Sequence, residues 1–172
     1  MNVIFRGAYT GGIVALVIAT ISWATPLHAH SIEAGPISIE HPWSRPTYGD
    51  VDVGAVYMVV SNDGEMADTL LAIKSDAAER VEIHETINVG DVAKMQAITG
   101  GVEIPADDAV IFEPLGKHVM LIGVKKKLEA GKMFQMQLVF KNAGEVAIDV
   151  KIIKGSSAKP SNKPGHAGSH HR

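Results

Sequence analysis

Residues 133–152 read MFQMQLVFKNAGEVAIDVKI. Phe134, Met136, Leu138 and Phe140 alternate with Gln135, Gln137 and Val139. After Asn142-Ala143-Gly144, Val146, Ile148, Val150 and Ile152 alternate with Ala147, Asp149 and Lys151. A period of two puts each apolar set on one face of an extended strand, so both stretches read as half-buried strands parted by a turn. Working outward, the same texture recurs. Short β-like runs are expected at Ile37–Arg45, Gly54–Ser61, Thr69–Ser75, Arg80–Thr86, Val92–Ile98, Ala109–Phe112, Lys117–Val124, Met133–Phe140 and Val146–Ile153. Between them stand breaks such as Asn62-Asp63-Gly64, Asn88-Val89-Gly90, Thr99-Gly100-Gly101, Pro114-Leu115-Gly116 and Ala130-Gly131. Regularly spaced short strands with Gly/Asn/Asp turns predict an all-β sandwich. No long 3.6-residue period appears; Asp76–Arg80 has room for one helical turn at most.

The ends differ from this middle. Arg6 followed by the 13 apolar residues GGIVALVIATISW (11–23) reads as a secretory signal, since the run is too short for a stable membrane-spanning helix. Cleavage is placed after Ala29, with Ala24 as the other position; a retained N-terminal anchor is the alternative reading. Residues 30–154 then form one domain, and residues 155–172, rich in Gly, Ser, Pro and Lys, read as a disordered tail. The 143 residues left after cleavage carry 15 basic and 19 acidic side chains, a balance that favours neither nucleic acid nor an anionic membrane as partner. No later segment is apolar enough to span a bilayer, and a monomer is expected. With no cysteine in the chain, disulfide frameworks, disulfide exchange, blue-copper centres and iron–sulfur centres are excluded.

The chemistry-bearing pattern is His84-x10-Met95-x22-His118-x-Met120. His118 and Met120 are two apart on one strand, so both side chains leave the same face roughly 7 Å apart and can converge on one ion. His84 lies on the face of its strand opposite Val81 and Ile83. Met95 follows the turn at Asn88–Gly90, which places it on the second arm of a hairpin. Imidazole and thioether are neutral donors, and thioether softness favours Cu(I) over zinc, magnesium or calcium. Taken singly, each residue has a plainer reading as core filler or surface polar group, and the pattern alone stops at a soft-metal site. Met58, Met133 and Met136 are read as core, as are Trp43 and Tyr57. His41 is read as a surface or outer-shell residue. Glu82 shares a face with His84 and is read as an exposed carboxylate, an outer-shell partner of the imidazole being the alternative.

Residues of about 40–153 resemble the periplasmic PCu(A)C copper chaperones, whose signature is His-x10-Met followed some twenty residues later by His-x-Met. The supporting stretches are HPWSRP (41–46), VGAVYMVVSN (53–62), VEIHET (81–86) and EPLGKHVMLIGVKKKLEAGKMFQMQLVFKNAGEV (113–146). The resemblance implies a cupredoxin-like (Greek-key) β-sandwich holding Cu(I) through His84, Met95, His118 and Met120. It also implies delivery of copper to the CuA-bearing subunit of cytochrome c oxidase, often alongside a Sco-type protein. The Met95–His118 gap is about one residue longer than the usual spacing, and Gly100 or Gly101 is where a loop would absorb it.

His166, His170 and His171 form a second, weaker signal, a tail segment suited to capturing Cu(II). His30 would become an amino-terminal chelator if cleavage follows Ala29. No Ser-His-Asp order or paired-carboxylate spacing stands out, and the folded region offers only His41, His84 and His118, so a carrier is expected rather than an enzyme. Copper buffering or resistance, and an exported structural sandwich with incidental His and Met, are the alternatives.

Overall fold

The computed structural model describes residues 31–90 and 92–155; the expected signal segment, His30, and the tail with His166, His170 and His171 lie outside them. Eleven strands are formed among the described residues, and none of these residues is helical. They are β1 (Ser31–Ala34), β2 (Ile37–Ser44), β3 (Val53–Asn62), β4 (Asp68–Lys74), β5 (Ala78–Val89), β6 (Val92–Ala97), β7 (Val102–Ile104), β8 (Asp108–Phe112), β9 (Lys117–Val124), β10 (Met133–Phe140) and β11 (Glu145–Ile152).

Hydrogen bonding runs in the order β6-β5-β9-β8-β3-β2-β11-β10-β4-β7, with β1 added to β2. β8 and β9 follow one another along the edge of β3: Met58–Asn62 pair with β8, and Val53–Val56 pair with β9. The β10–β11 hairpin joins this half through a short parallel contact, Lys151 to Trp43 and Ile152 to Ser44. A register shift between Glu40 and Trp43 marks a β-bulge in β2, where exposed His41 takes a left-handed φ of 49°. Bulges of this kind bend a strand and raise its twist, as a sheet that folds over on itself requires.

The two halves close on one apolar cluster. Val56, Met58, Val60, Val119 and Leu121 come from β3 and β9, and Leu70, Met136, Leu138, Ile148 and Val150 from β4, β10 and β11. Strict alternation in β11, exposed then buried through all eight residues, shows how completely the period-two pattern is satisfied. Met133 departs from expectation. It is 59% exposed, because it opens β10 on the outward parity of Gln135 and Gln137. Trp43 and Tyr57 are buried as expected, but against each other: their rings pack 4.6 Å apart, outside the main cluster, on the opposite face of β2 and β3.

Candidate metal site

Ile83 on β5 and Val119 and Leu121 on β9 face the core, so the even-numbered residues of both strands face outward. The antiparallel register sets His84 directly opposite His118 and Glu82 opposite Met120. On its other side Met120 faces Ala55 of β3, a small side chain that leaves space above the sheet. Met95 lies on β6 opposite Thr86, two residues along β5 from His84 and on the same outward parity. Four donors scattered over 37 residues of sequence are thus carried by three adjacent strands onto one face. His84 is the diagonal neighbour of both Met95 and Met120, roughly 7–8 Å away at the backbone, whereas Met95 and Met120 stand two strands apart and four residues offset and are related by lining one cleft.

Beside His118 lies a cleft of about 530 Å³, lined by Arg45, Tyr57, Thr86, Met95, His118 and Met120 among others; His84 stands behind His118 and does not line it. A larger hollow of about 660 Å³ lies past the other end of β9, between Lys125–Leu128 and Phe134, and holds none of the four donors. Within the first cleft the donors differ in exposure. His118 is 6% exposed, whereas Met95 is 58% exposed on a strand whose six residues all face solvent.

The imidazole rings of His84 and His118 lie 6.0 Å apart, centre to centre, inclined at 55°. A ligating nitrogen sits about 1 Å from its ring centre and about 2 Å from a bound ion, so two rings sharing one ion have centres within about 6 Å. The observed separation sits at that outer limit, which only a collinear nitrogen–metal–nitrogen line reaches, so an ion with four donors would draw the rings about 1 Å closer. His118 Nδ1 donates to the Gly116 carbonyl at 3.1 Å, leaving Nε2 as the lone-pair nitrogen. His84 Nε2 donates to Glu82 at 2.8 Å, and its Nδ1 is buried with no hydrogen-bond partner. An orphaned buried nitrogen is costly unless something else takes its lone pair, and a metal ion does so. The donor set therefore fits a soft cation.

Glu82, read from sequence as an exposed carboxylate, is instead the imidazole's partner, and Arg80 Nε holds its other oxygen at 2.7 Å. The hydrogen bond from His84 is the largest influence on Glu82 and lowers its pKa below the ordinary carboxylate range. Partial desolvation opposes the shift and the charge of Arg80 adds to it. Burial raises the Tyr57 phenol above its usual value, with Arg45 pulling the other way. Among the described residues no three His, Cys, Asp or Glu side chains gather to hold an ion. Hard-cation and zinc sites usually need such a group, and the donors on this face are of the soft kind. Thr86 and Ala55, which the sequence did not single out, are recognisable only once the register is known.

The LpqE-like family model, described as one of lipoproteins, matches residues 37–152. The protein RP573 of Rickettsia prowazekii (strain Madrid E) is 34% identical over 128 residues, which span 73% of this chain and 69% of the relative. Among solved structures, the copper-bound PCuAC domain from PmoF2 superposes with a TM-score of 0.62 at 30% identity, covering 73% of this chain and 99% of that domain. The apo PCuAC domain from PmoF1 gives 0.63 at 31% identity, covering 73% and 100%.

Proposed function

Because this chain belongs to the PCuAC, or LpqE-like, family, we propose that it is a copper-binding carrier that holds the metal as Cu(I) through His84, Met95, His118 and Met120. The observation that supports this most is the cross-strand pair of His84 and His118, with both methionines on the same outward face. Copper is cargo in this reading, and the fold supplies the means of holding and releasing it.

Neutral donors give Cu(I) a site of charge +1 and Cu(II) a site of +2, so desolvation works against the oxidised ion. Thioether softness acts in the same direction. Glu82 adds a carboxylate beside the site, but Arg80 pairs with it, and the local balance stays near neutral. Met95, exposed on β6, is the donor best placed to leave first and admit an acceptor ligand. Transfer then proceeds by attack of the acceptor before all the donor bonds break. A transfer rate independent of acceptor concentration would instead mean release to solvent.

Anaerobic titration of Cu(I) against a colorimetric chelator tests the carrier. One tight equivalent, lost in His118→Ala and Met120→Leu, is the expected result; failure to compete for Cu(I) supports a structural sandwich. A dismutase assay of the copper-loaded chain tests for catalysis, and none is expected.

The finer role is delivery to the CuA-bearing subunit of cytochrome c oxidase, with a Sco-type protein as co-partner, as the family resemblance suggests. NMR titration with a soluble CuA domain checks it, copper moving to that domain being the expected outcome. The lipoprotein description of the family supports export and, with it, a periplasmic site of action. The tail segment with His166, His170 and His171 acts in this reading as a Cu(II) capture arm. Truncation after Gly155 should lower Cu(II) stoichiometry while leaving the Cu(I) site intact.

A further inference from the structure

We infer that Glu82 is a positioning residue that makes His84 meet copper through Nδ1, while His118 meets it through Nε2, so the paired imidazoles present opposite ring nitrogens. The inference rests on the carrier reading for its ligand but stands on a feature of the metal-free molecule. On the outward face of β5, Arg80, Glu82 and His84 follow one another at every second residue. Arg80 Nε donates to Glu82 Oε1 at 2.7 Å, and His84 Nε2 lies 2.8 Å from Glu82 Oε2.

A carboxylate accepts and cannot donate, so Nε2 must carry the proton. In a neutral imidazole the lone pair then falls on Nδ1, the atom that is buried and unpartnered. The opposite tautomer would set the Nε2 lone pair against a carboxylate and leave a buried Nδ1–H without an acceptor; both effects disfavour it. Turning the ring by half a rotation exchanges each nitrogen with a carbon and loses the bond to Glu82 altogether. His118 is fixed in the other sense, because its Nδ1 donates to the carbonyl of Gly116. A metal-bound histidine ordinarily donates its second nitrogen to a carboxylate or backbone carbonyl, and here one ring has each kind of partner.

An antiparallel ladder relates the two opposed histidines by a local two-fold axis, so the difference lies in the sequence, with Glu82 two residues before one and Gly116 two residues before the other. One finds an acid two residues back along its strand; the other finds the carbonyl two residues before it. Arg80, by holding the second carboxylate oxygen, keeps Glu82 from reaching the ion as an additional hard ligand.

The test uses the full chain labelled with ¹⁵N-histidine and two-bond proton–nitrogen correlation spectra, recorded without metal and with one equivalent of Cu(I) under reductant. In the metal-free spectrum His84 is expected protonated at Nε2 and His118 at Nδ1. On loading, the Nδ1 signal of His84 and the Nε2 signal of His118 should shift. A shift at His84 Nε2, with a proton on its Nδ1, overturns the inference. Glu82→Gln retains an acceptor oxygen and should preserve both the tautomer and the Cu(I) affinity. Glu82→Leu should mix the tautomers and weaken Cu(I) binding about 10–100-fold; an unchanged tautomer and affinity would refute the role. Should the leucine variant not fold, the wild-type spectra and the glutamine variant decide the matter. If the wild-type chain binds no Cu(I), the carrier reading fails, and the metal-free tautomer of His84 still supports or refutes the role of Glu82.

Discussion

Replacing Met95 with leucine should separate metal binding from folding more cleanly than any other change in the chain. Met95 is 58% exposed, on a strand that among the described residues pairs with β5 alone, through residues 84–89. Leucine has nearly the same volume and similar apolar character, and most of the side chain already meets water. The change in folding free energy should therefore stay within about 0.5 kcal/mol, as for ordinary surface substitutions. In a domain of this size that is about 1–2 °C in Tm. Loss of one of four donors should cost at least the tenfold that outer-shell changes cost, or about 1.4 kcal/mol of Cu(I) binding. The binding loss thus exceeds the folding loss by a factor of about three. Thermal melts of the metal-free chain, followed by circular dichroism, give the first quantity; anaerobic chelator competition gives the second. Unchanged affinity would remove Met95 from the donor set. A Tm fall of many degrees would show that β6 carries structural weight its exposure does not suggest.

Three further outcomes follow from the structure. Asp68 is buried and accepts from the backbone N–H groups of Thr69, Asn142 and Ala143 at 2.6–2.9 Å, tying β4 to the β10–β11 turn; Asp68→Ala should cost about 2–3 kcal/mol in urea unfolding and leave Cu(I) affinity unchanged. Burial raises the pKa of Asp68, but those donors and that of Lys141 outweigh it, so its folded pKa lies below the unfolded one. Its stabilisation is therefore complete above about pH 4 and lost as pH falls through the folded value, and wild-type Tm should drop more steeply there than that of the alanine variant. Gly101 has a φ of +94°, and a Cβ there would lie 2.8 Å from the Leu70 carbonyl oxygen; Gly101→Ala should destabilise the metal-free fold by about 1–3 kcal/mol, measured by urea unfolding, without altering copper binding.

Much of the framework was legible because period-two alternation is a direct record of burial. The runs at 133–140 and 146–153 match β10 and β11 to within a residue, and 117–124 matches β9. The outward direction of His84 followed from Ile83 being core, and the shared face of His118 and Met120 from their spacing. β1 and β7 escaped notice for physical reasons: β1 is half exposed and β7 has three residues, too few to establish a period. β5 runs to Val89, beyond the expected Thr86, because pairing with β6 continues up to the turn. Met133 could have been placed correctly from parity alone, since it is out of phase with Met136. The partnership of Glu82 with His84 was visible as a shared face, but its strength was not. Choosing between an exposed carboxylate and a hydrogen-bonded one required the 2.8 Å contact, and the orphaned Nδ1 required knowing what covers the ring.

Copper-edge X-ray absorption of the chain loaded with one equivalent of Cu(I) tests the shared site most directly. Two nitrogen and two sulfur neighbours around a single ion are expected, with the sulfur shell halved in Met95→Leu, which weakens but keeps the site. A spectrum without a sulfur shell, or one unaltered by that substitution, would contradict the meeting of the two imidazoles and two thioethers at one metal.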